Sequence, residues 1–175
     1  MPAYPTATSE MMQRGEFETL MREHGAMLGR IAASYEADPA KRQELQQDIF
    51  ASIWRALPGF RGEASLRTFV ARIAHNRAIT HVARAASEPR MSELDDALPS
   101  DQPSPFEDAE RADQQRRLLD AVRTLPLSLR EPVVLTLEDF SPREIAEMLA
   151  LNPNIVSIRL TRAKALLRSA LDDGS

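Results

Sequence analysis

The 175-residue chain contains no cysteine, which excludes a disulfide scaffold, a cysteine-based zinc site and a thiol nucleophile. Aromatic residues make up only 5% of it, and alternating β-branched runs are missing, so little is present from which to build a sheet. No apolar run approaches the ~18 residues that a membrane span needs. The opening stretch MPAYPTATSEMM lacks the basic and apolar regions of a secretory signal, which predicts a cytoplasmic chain without membrane insertion. Phosphate-loop, dinucleotide, GxSxG and HExxH patterns are absent as well. His24, His75 and His81 show no ligand spacing with carboxylates, and the acidic residues cluster where no rigid scaffold would hold a general acid and base. The expectation is a non-enzyme with no catalytic residue, no metal and no cofactor, and an all-α fold.

What is present is charge, unevenly placed. The net charge of −4 conceals 12 basic and 10 acidic side chains in residues 1–90, then 3 and 8 in residues 91–117. Seven arginines face two glutamates between Arg55 and Arg90, while Arg159, Arg162, Lys164 and Arg168 meet no acid between Pro153 and Leu171. Two basic segments therefore flank an acidic connector, an electrostatic footprint suited to nucleic acid.

Helical periodicity sets the organisation. Residues 1–14 carry Pro2 and Pro5 and no apolar stripe, and are expected to form a disordered leader. Phe17, Leu20, Met21, Met27, Leu28, Ile31, Ala32 and Tyr35 then recur on one helical face. After the Asp38-Pro39 turn, Leu45, Ile49, Ile53 and Leu57 mark a second helix, ended by Pro58-Gly59, and Ser65 is placed to cap a third with Leu66, Phe69, Val70, Ile73 and Ala74 inward. Pro89, Pro99, Pro103 and Pro105 among Asp and Glu residues predict a flexible acidic linker over 87–110. Two small helical domains follow, 15–86 and 111–175. The second carries Leu118, Leu119, Val122 and Leu125 and two expected capping boxes, Ser128 with Glu131 and Ser141 with Glu144.

The sharpest local pattern is SPREIAEMLALNPNIVSIRLTRAKALLR. A helix from Pro142 to Leu149, a short turn and a longer helix from Pro153 make a helix-turn-helix. Val156, Leu160, Ala163 and Leu167 would face inward, leaving Asn154, Ser157, Ile158, Thr161, Arg162 and Lys164 to meet a major groove; a plain helical hairpin is the alternative. The second pattern, from Glu44 to Arg84, gives two helices around the loop PGFRGEA. Arginines 67, 72, 77 and 84 lie near Trp54, Phe60 and Phe69, which suits stacking on unpaired bases, although for Trp54 and Phe69 themselves the core is the expected place. For Phe60, Arg61 and Asn76 composition leaves both roles open.

These residues also carry a resemblance. Glu44, Gln47, Asp48 and Phe50, the loop Phe60-Arg61-Gly62-Glu63, the run from Thr68 to Asn76, Leu125-Pro126 through Arg130-Glu131, Glu144-Ile145-Ala146, and Arg159 to Lys164 stand in an order and spacing similar to bacterial RNA polymerase sigma factors of the extracytoplasmic-function (group four) type. The resemblance covers about 17–85 and 118–171. It implies a region-two domain that docks Leu45, Gln47, Asp48, Ile49 and Phe50 on the clamp of the polymerase largest subunit. It further implies a loop, Phe60 to Glu63, that holds a base flipped from the minus-ten element, with Thr68, Arg72, Asn76 and Arg77 supporting the melted strand. The region-four helix would read the minus-thirty-five duplex with Asn154, Ser157, Ile158, Thr161, Arg162 and Lys164. Core RNA polymerase (clamp and flap), promoter DNA and an anti-sigma protein are the implied partners, and the acidic linker would thread toward the RNA exit path. Two departures stand out. Phe69 replaces the family's commoner Trp, and Ser157-Ile158 replaces a basic-polar pair in the recognition helix, which should lower the salt slope of binding by about one. The competing readings are a stand-alone helix-turn-helix regulator, which would have no use for the Phe60 loop, and an anti-sigma decoy, which would bind core polymerase without transcription.

Overall fold

The computed structural model describes residues 7–88 and 106–172, and every regular element in them is helical. Helices α1 (Ala7–Tyr35), α2 (Pro39–Ala56) and α3 (Leu66–Ser87) form a first bundle, with a 3-10 turn at Leu57–Gly59 after α2. Helices α4 (Phe106–Thr124), α5 (Leu127–Leu137), α6 (Pro142–Leu149) and α7 (Pro153–Asp172) form a second. The linker expected over 87–110 falls largely on residues 89–105, outside the described residues; α4 already begins at Phe106.

In the first bundle the expected stripes are buried: Leu20, Leu28, Ile31, Leu45, Ile49, Ile53 and Val70 lie at its centre. Asp38 caps α2 by accepting from Lys41 N–H at 2.9 Å, with Pro39 at the first helical position. Ser65 caps α3 by accepting from Thr68 N–H at 3.1 Å. One expectation needs correction. A leader over residues 1–14 is too long, because α1 starts at Ala7. These turns bury no stripe, since Met11 and Met12 are exposed; they extend a helix already nucleated, at little cost, and Gln13 ties them down by donating to the Trp54 carbonyl at 2.9 Å.

A second correction concerns the capping boxes. The Ser141 box forms: Ser141 N–H donates to the Glu144 carboxylate at 2.7 Å and Glu144 N–H donates back to Ser141 Oγ at 3.3 Å, and the Ser141 N–H and hydroxyl beside it hold the Glu144 carboxyl below the usual carboxylate range. The Ser128 box does not. Pro126 occupies the N-cap of α5, and its carbonyl accepts from Leu129 and Arg130 N–H, so Ser128 lies inside the first turn. Glu131 is instead half-buried, and desolvation raises its pKa.

The two bundles pack against each other through arginines. Arg30 of α1 donates to both carboxylate oxygens of Glu138 at 2.8–3.2 Å, and Arg67 of α3 donates to the Glu138 carbonyl while its guanidinium lies 4.1 Å from the centre of the Phe140 ring. From the other side, Arg123 Nε donates to the Ala33 carbonyl at 2.8 Å, and the Arg130 guanidinium stands 5.8 Å from the Tyr35 ring centre. Glu138, Asp139 and Phe140 are presented by a Schellman end to α5: Phe140 N–H donates to the Leu135 carbonyl and Asp139 N–H to that of Thr136, with Asp139 left-handed at φ 61°.

Candidate nucleic-acid and polymerase interface

The loop between α2 and α3 is shaped by the 3-10 turn and by Gly62, whose φ of 74° is left-handed. It sets the Phe60 ring 4.8 Å from that of Phe69, and with Arg61, Glu63 and Arg72 these line a shallow cleft of about 240 Å³. Both rings are half-buried, so each keeps surface toward the cleft, whereas Arg61, Gly62, Glu63 and Arg72 are exposed. Aromatic faces beside two guanidinium groups and one carboxylate can stack a base, address its polar edge and neutralise its phosphates. Trp54 lies elsewhere, its ring edge-on to Phe17 at 5.3 Å, so it belongs to the packing of α1 on α2.

Structure separates the remaining strand-binding candidates. Thr68 accepts from Ser65 Oγ at 2.9 Å and is part of the helix cap. Asn76, one turn beyond Arg72, is exposed but lines a different cleft of about 390 Å³, whose far wall is Glu131, Met148 and Leu149 of the second bundle. Arg77 points to Asp48 of α2 at 3.9 Å, which joins a polymerase candidate to a DNA candidate. Arg67 is engaged at the bundle interface.

Of the five polymerase candidates, two cannot touch a partner in this conformation. Leu45 and Ile49 are 2% and 0% exposed because they carry the inner stripe of α2. Gln47 is exposed, and Asp48 and Phe50 are half-buried, so these three define the outward face. The four-residue steps from Leu45 already mark that stripe in the sequence, whereas the resemblance implies docking for all five residues alike.

The helix-turn-helix has the bounds read from sequence. The C-terminus of α6 closes as a second Schellman motif, Leu151 N–H donating to the Ala146 carbonyl at 2.9 Å, with Ala150 left-handed at φ 53°. Asn152 accepts from Asn154 N–H at 2.8 Å and starts α7 before Pro153. Val156 and Ala163 are buried; Asn154, Ser157, Ile158, Thr161, Arg162 and Lys164 are all exposed. Ile155, exposed beside Ile158, belongs to the same surface and is missed by sequence reasoning, because a strict four-step stripe leaves its face undefined. Arg159 does something else. Pro132 has no N–H for the Ser128 carbonyl four residues back, and Arg159 Nη1 donates to that carbonyl at 3.4 Å, tying α7 to α5.

Two family models match the chain: Sigma-70 region 2 over residues 20–88 and Sigma-70, region 4 over residues 115–167. The chain belongs to the sigma-70 family. It is an extracytoplasmic-function sigma factor, similar over nearly its whole length to several curated relatives. The RNA polymerase sigma factor NccH of Alcaligenes xylosoxydans is 26% identical, with 97% of this chain and 96% of the relative covered. The sigma-H factor of Pseudomonas aeruginosa is 28% identical, with 93% and 91% covered. Among solved structures, CnrH in complex with the cytosolic domain of CnrY superposes with a TM-score of 0.68 at 26% identity, covering 93% of this chain and 91% of that one. A relative of that name is known from Cupriavidus metallidurans. RpoE in complex with the anti-sigma factor NepR from Bartonella quintana shares the fold, with a TM-score of 0.70 at 18% identity over 90% and 97% of the two chains. The first bundle of this sigma factor thus corresponds to region two and the second to region four. Among the described residues, no helix is long and apolar enough to cross a membrane.

Proposed function

We infer that this sigma factor, which directs promoter-specific transcription initiation, divides its work among three surfaces and supplies binding rather than a catalytic step. The outward face of α2, with Gln47, Asp48 and Phe50, binds the clamp of core RNA polymerase. The Phe60 to Glu63 loop with Arg72 takes an unpaired base of the minus-ten element, and Asn76 and Arg77 follow the melted strand along α3. The outer face of α7 reads the minus-thirty-five duplex. The protein works in the cytoplasm, on core polymerase and promoter DNA, and is held in check by an anti-sigma protein. A solved neighbour carrying such a partner supports this last point.

The observation that carries this reading is the convergence of Phe60, Phe69, Arg61, Glu63 and Arg72 on one cleft at the start of a basic helix. Extruding a base costs a few kcal/mol, and stacking returns ~1–3 kcal/mol per base, so the cleft has to supply both an aromatic face and charge. The test is run-off transcription with bacterial core polymerase on fragmented genomic DNA. Phe60→Ala with Arg61→Ala should retain core binding and lower promoter opening by ~10-fold or more. Undiminished opening by the double variant would refute the assignment of the loop.

A further inference from the structure

We propose that Ile155 and Ile158 are specificity-determining residues that read the C5-methyl groups of thymine in the upstream promoter element. The proposal rests on the reading that α7 docks in the major groove, and deepens it by naming the base chemistry recognised.

Both side chains lie in the first two turns of α7, the part of a recognition helix that reaches base edges, and they are 40% and 53% exposed. Three residues apart, they are neighbours on one helical face. Among the described residues the second bundle leaves that face open, because α7 turns Val156 and Ala163 inward. The polar groups beside them are less available for donation than the sequence suggests. Ser157 Oγ donates to the Pro153 carbonyl at 3.2 Å and Thr161 Oγ1 to the Ser157 carbonyl at 2.9 Å, so both hydroxyl protons are held by the helix itself. Asn154 and Arg162 remain as donors on either side of an aliphatic pair.

Charge selects the occupant. From Pro153 to Leu171 there is no acid, and Arg162, Lys164 and Arg168 are exposed around and beyond the isoleucines. A surface of that sign seats phosphates. The major groove between phosphates offers one aliphatic group, the thymine methyl, and apolar side chains meet it there.

The experiment uses the full chain with core polymerase. Transcription from a pool randomised upstream of a fixed minus-ten element selects the preferred upstream duplex. Each thymine in the selected element is then exchanged for uracil, which removes the methyl and leaves every hydrogen-bonding group unchanged. Holoenzyme binding is measured at one salt concentration for wild type, Ile155→Ala and Ile158→Ala, with core binding and circular dichroism as checks of folding. The expected result is a loss of about fourfold per contacted methyl in wild type. That loss should vanish in the variant whose isoleucine met the methyl. Selected elements without thymine, or an equal uracil effect in wild type and both variants, would overturn the proposal. So would variants that weaken core polymerase or anti-sigma binding while DNA affinity stays unchanged, since the face would then seat a protein. Failure of the underlying reading looks different: no upstream element would be selected at all.

Discussion

At the scale of single residues, His75 is a titratable group that the first bundle encloses. It is 4% exposed, and burial lowers its pKa to about 4. Burial also drives the ionisation of Tyr35 upward, and the neutral Tyr35 hydroxyl lies 3.4 Å from His75 Nδ1. The neutral ring is therefore the native form. Below the unfolded value of about 6.5 the unfolded chain takes up a proton that the folded chain refuses, so stability falls as the pH drops from about 6.5 to about 4. The loss should approach ~3 kcal/mol. Urea denaturation at pH 7.5 and pH 5 should show a steeper decline for wild type than for His75→Gln. Equal declines would assign the acid sensitivity to other groups.

At the scale of the element, helix ends account for much of what is legible in the amino-acid sequence. Ser141, Pro142, Glu144 and the Asn152-Pro153 pair punctuate the motif so strongly that α6 starts and stops, and α7 starts, where the pattern puts them, because each signal acts within four residues. Ser128 carries the same letters but forms no box, since Pro126 has already taken the cap. Leu45 and Ile49 stand in the apolar stripe that the four-residue steps of α2 mark, and only the resemblance made them docking residues; their burial assigns that stripe to the core. Arg30, Arg67 and Glu138 are illegible for a further reason. Arg67 and Arg30 lie 71 and 108 residues from Glu138 in sequence, and a lone charge on a helix reads as solvated until the fold supplies its partner.

Both Schellman ends place a residue other than glycine in the left-handed region, Asp139 and Ala150. A left-handed alanine costs ~1–2 kcal/mol, partly offset by the greater freedom glycine has in the unfolded chain. Ala150→Gly should stabilise the protein by about 0.5–1 kcal/mol, seen as a higher urea midpoint at unchanged slope. Arg159→Ala should act in the opposite direction, by about 1 kcal/mol, because the Ser128 carbonyl that Pro132 leaves free then loses its donor.

For the whole molecule, the joint between the bundles is charged on one side and buried on the other. Glu138 has a side chain only 7% exposed, and Arg30 is 61% exposed, so the pair is anchored at one end and open to salt at the other. Arg30→Glu and Glu138→Arg should each separate the bundles, and the double reversal should bring them back together. Since the chain has no cysteine, Glu23→Cys with Arg168→Cys gives two labelling sites on different bundles for energy transfer. Transfer should fall in each single reversal and recover in the double; failure to recover would mean that the pair does not hold the joint.

That joint also sets a limit of length. Promoter elements centred near positions ten and thirty-five lie roughly 25 base pairs apart, or ~85 Å at about 3.4 Å per pair. A compact chain of this size has a radius of gyration of ~16 Å, which makes a body on the order of 40 Å across. With Arg30 on Glu138, α3 and α6 wall one cleft and α7 follows α6 after three residues, which would set the two proposed DNA surfaces closer together than the two elements of one straight duplex. On the assignment proposed above, the protein in this form would touch either end of a promoter without measuring the distance between them, and would acquire that ruler only when the two bundles part.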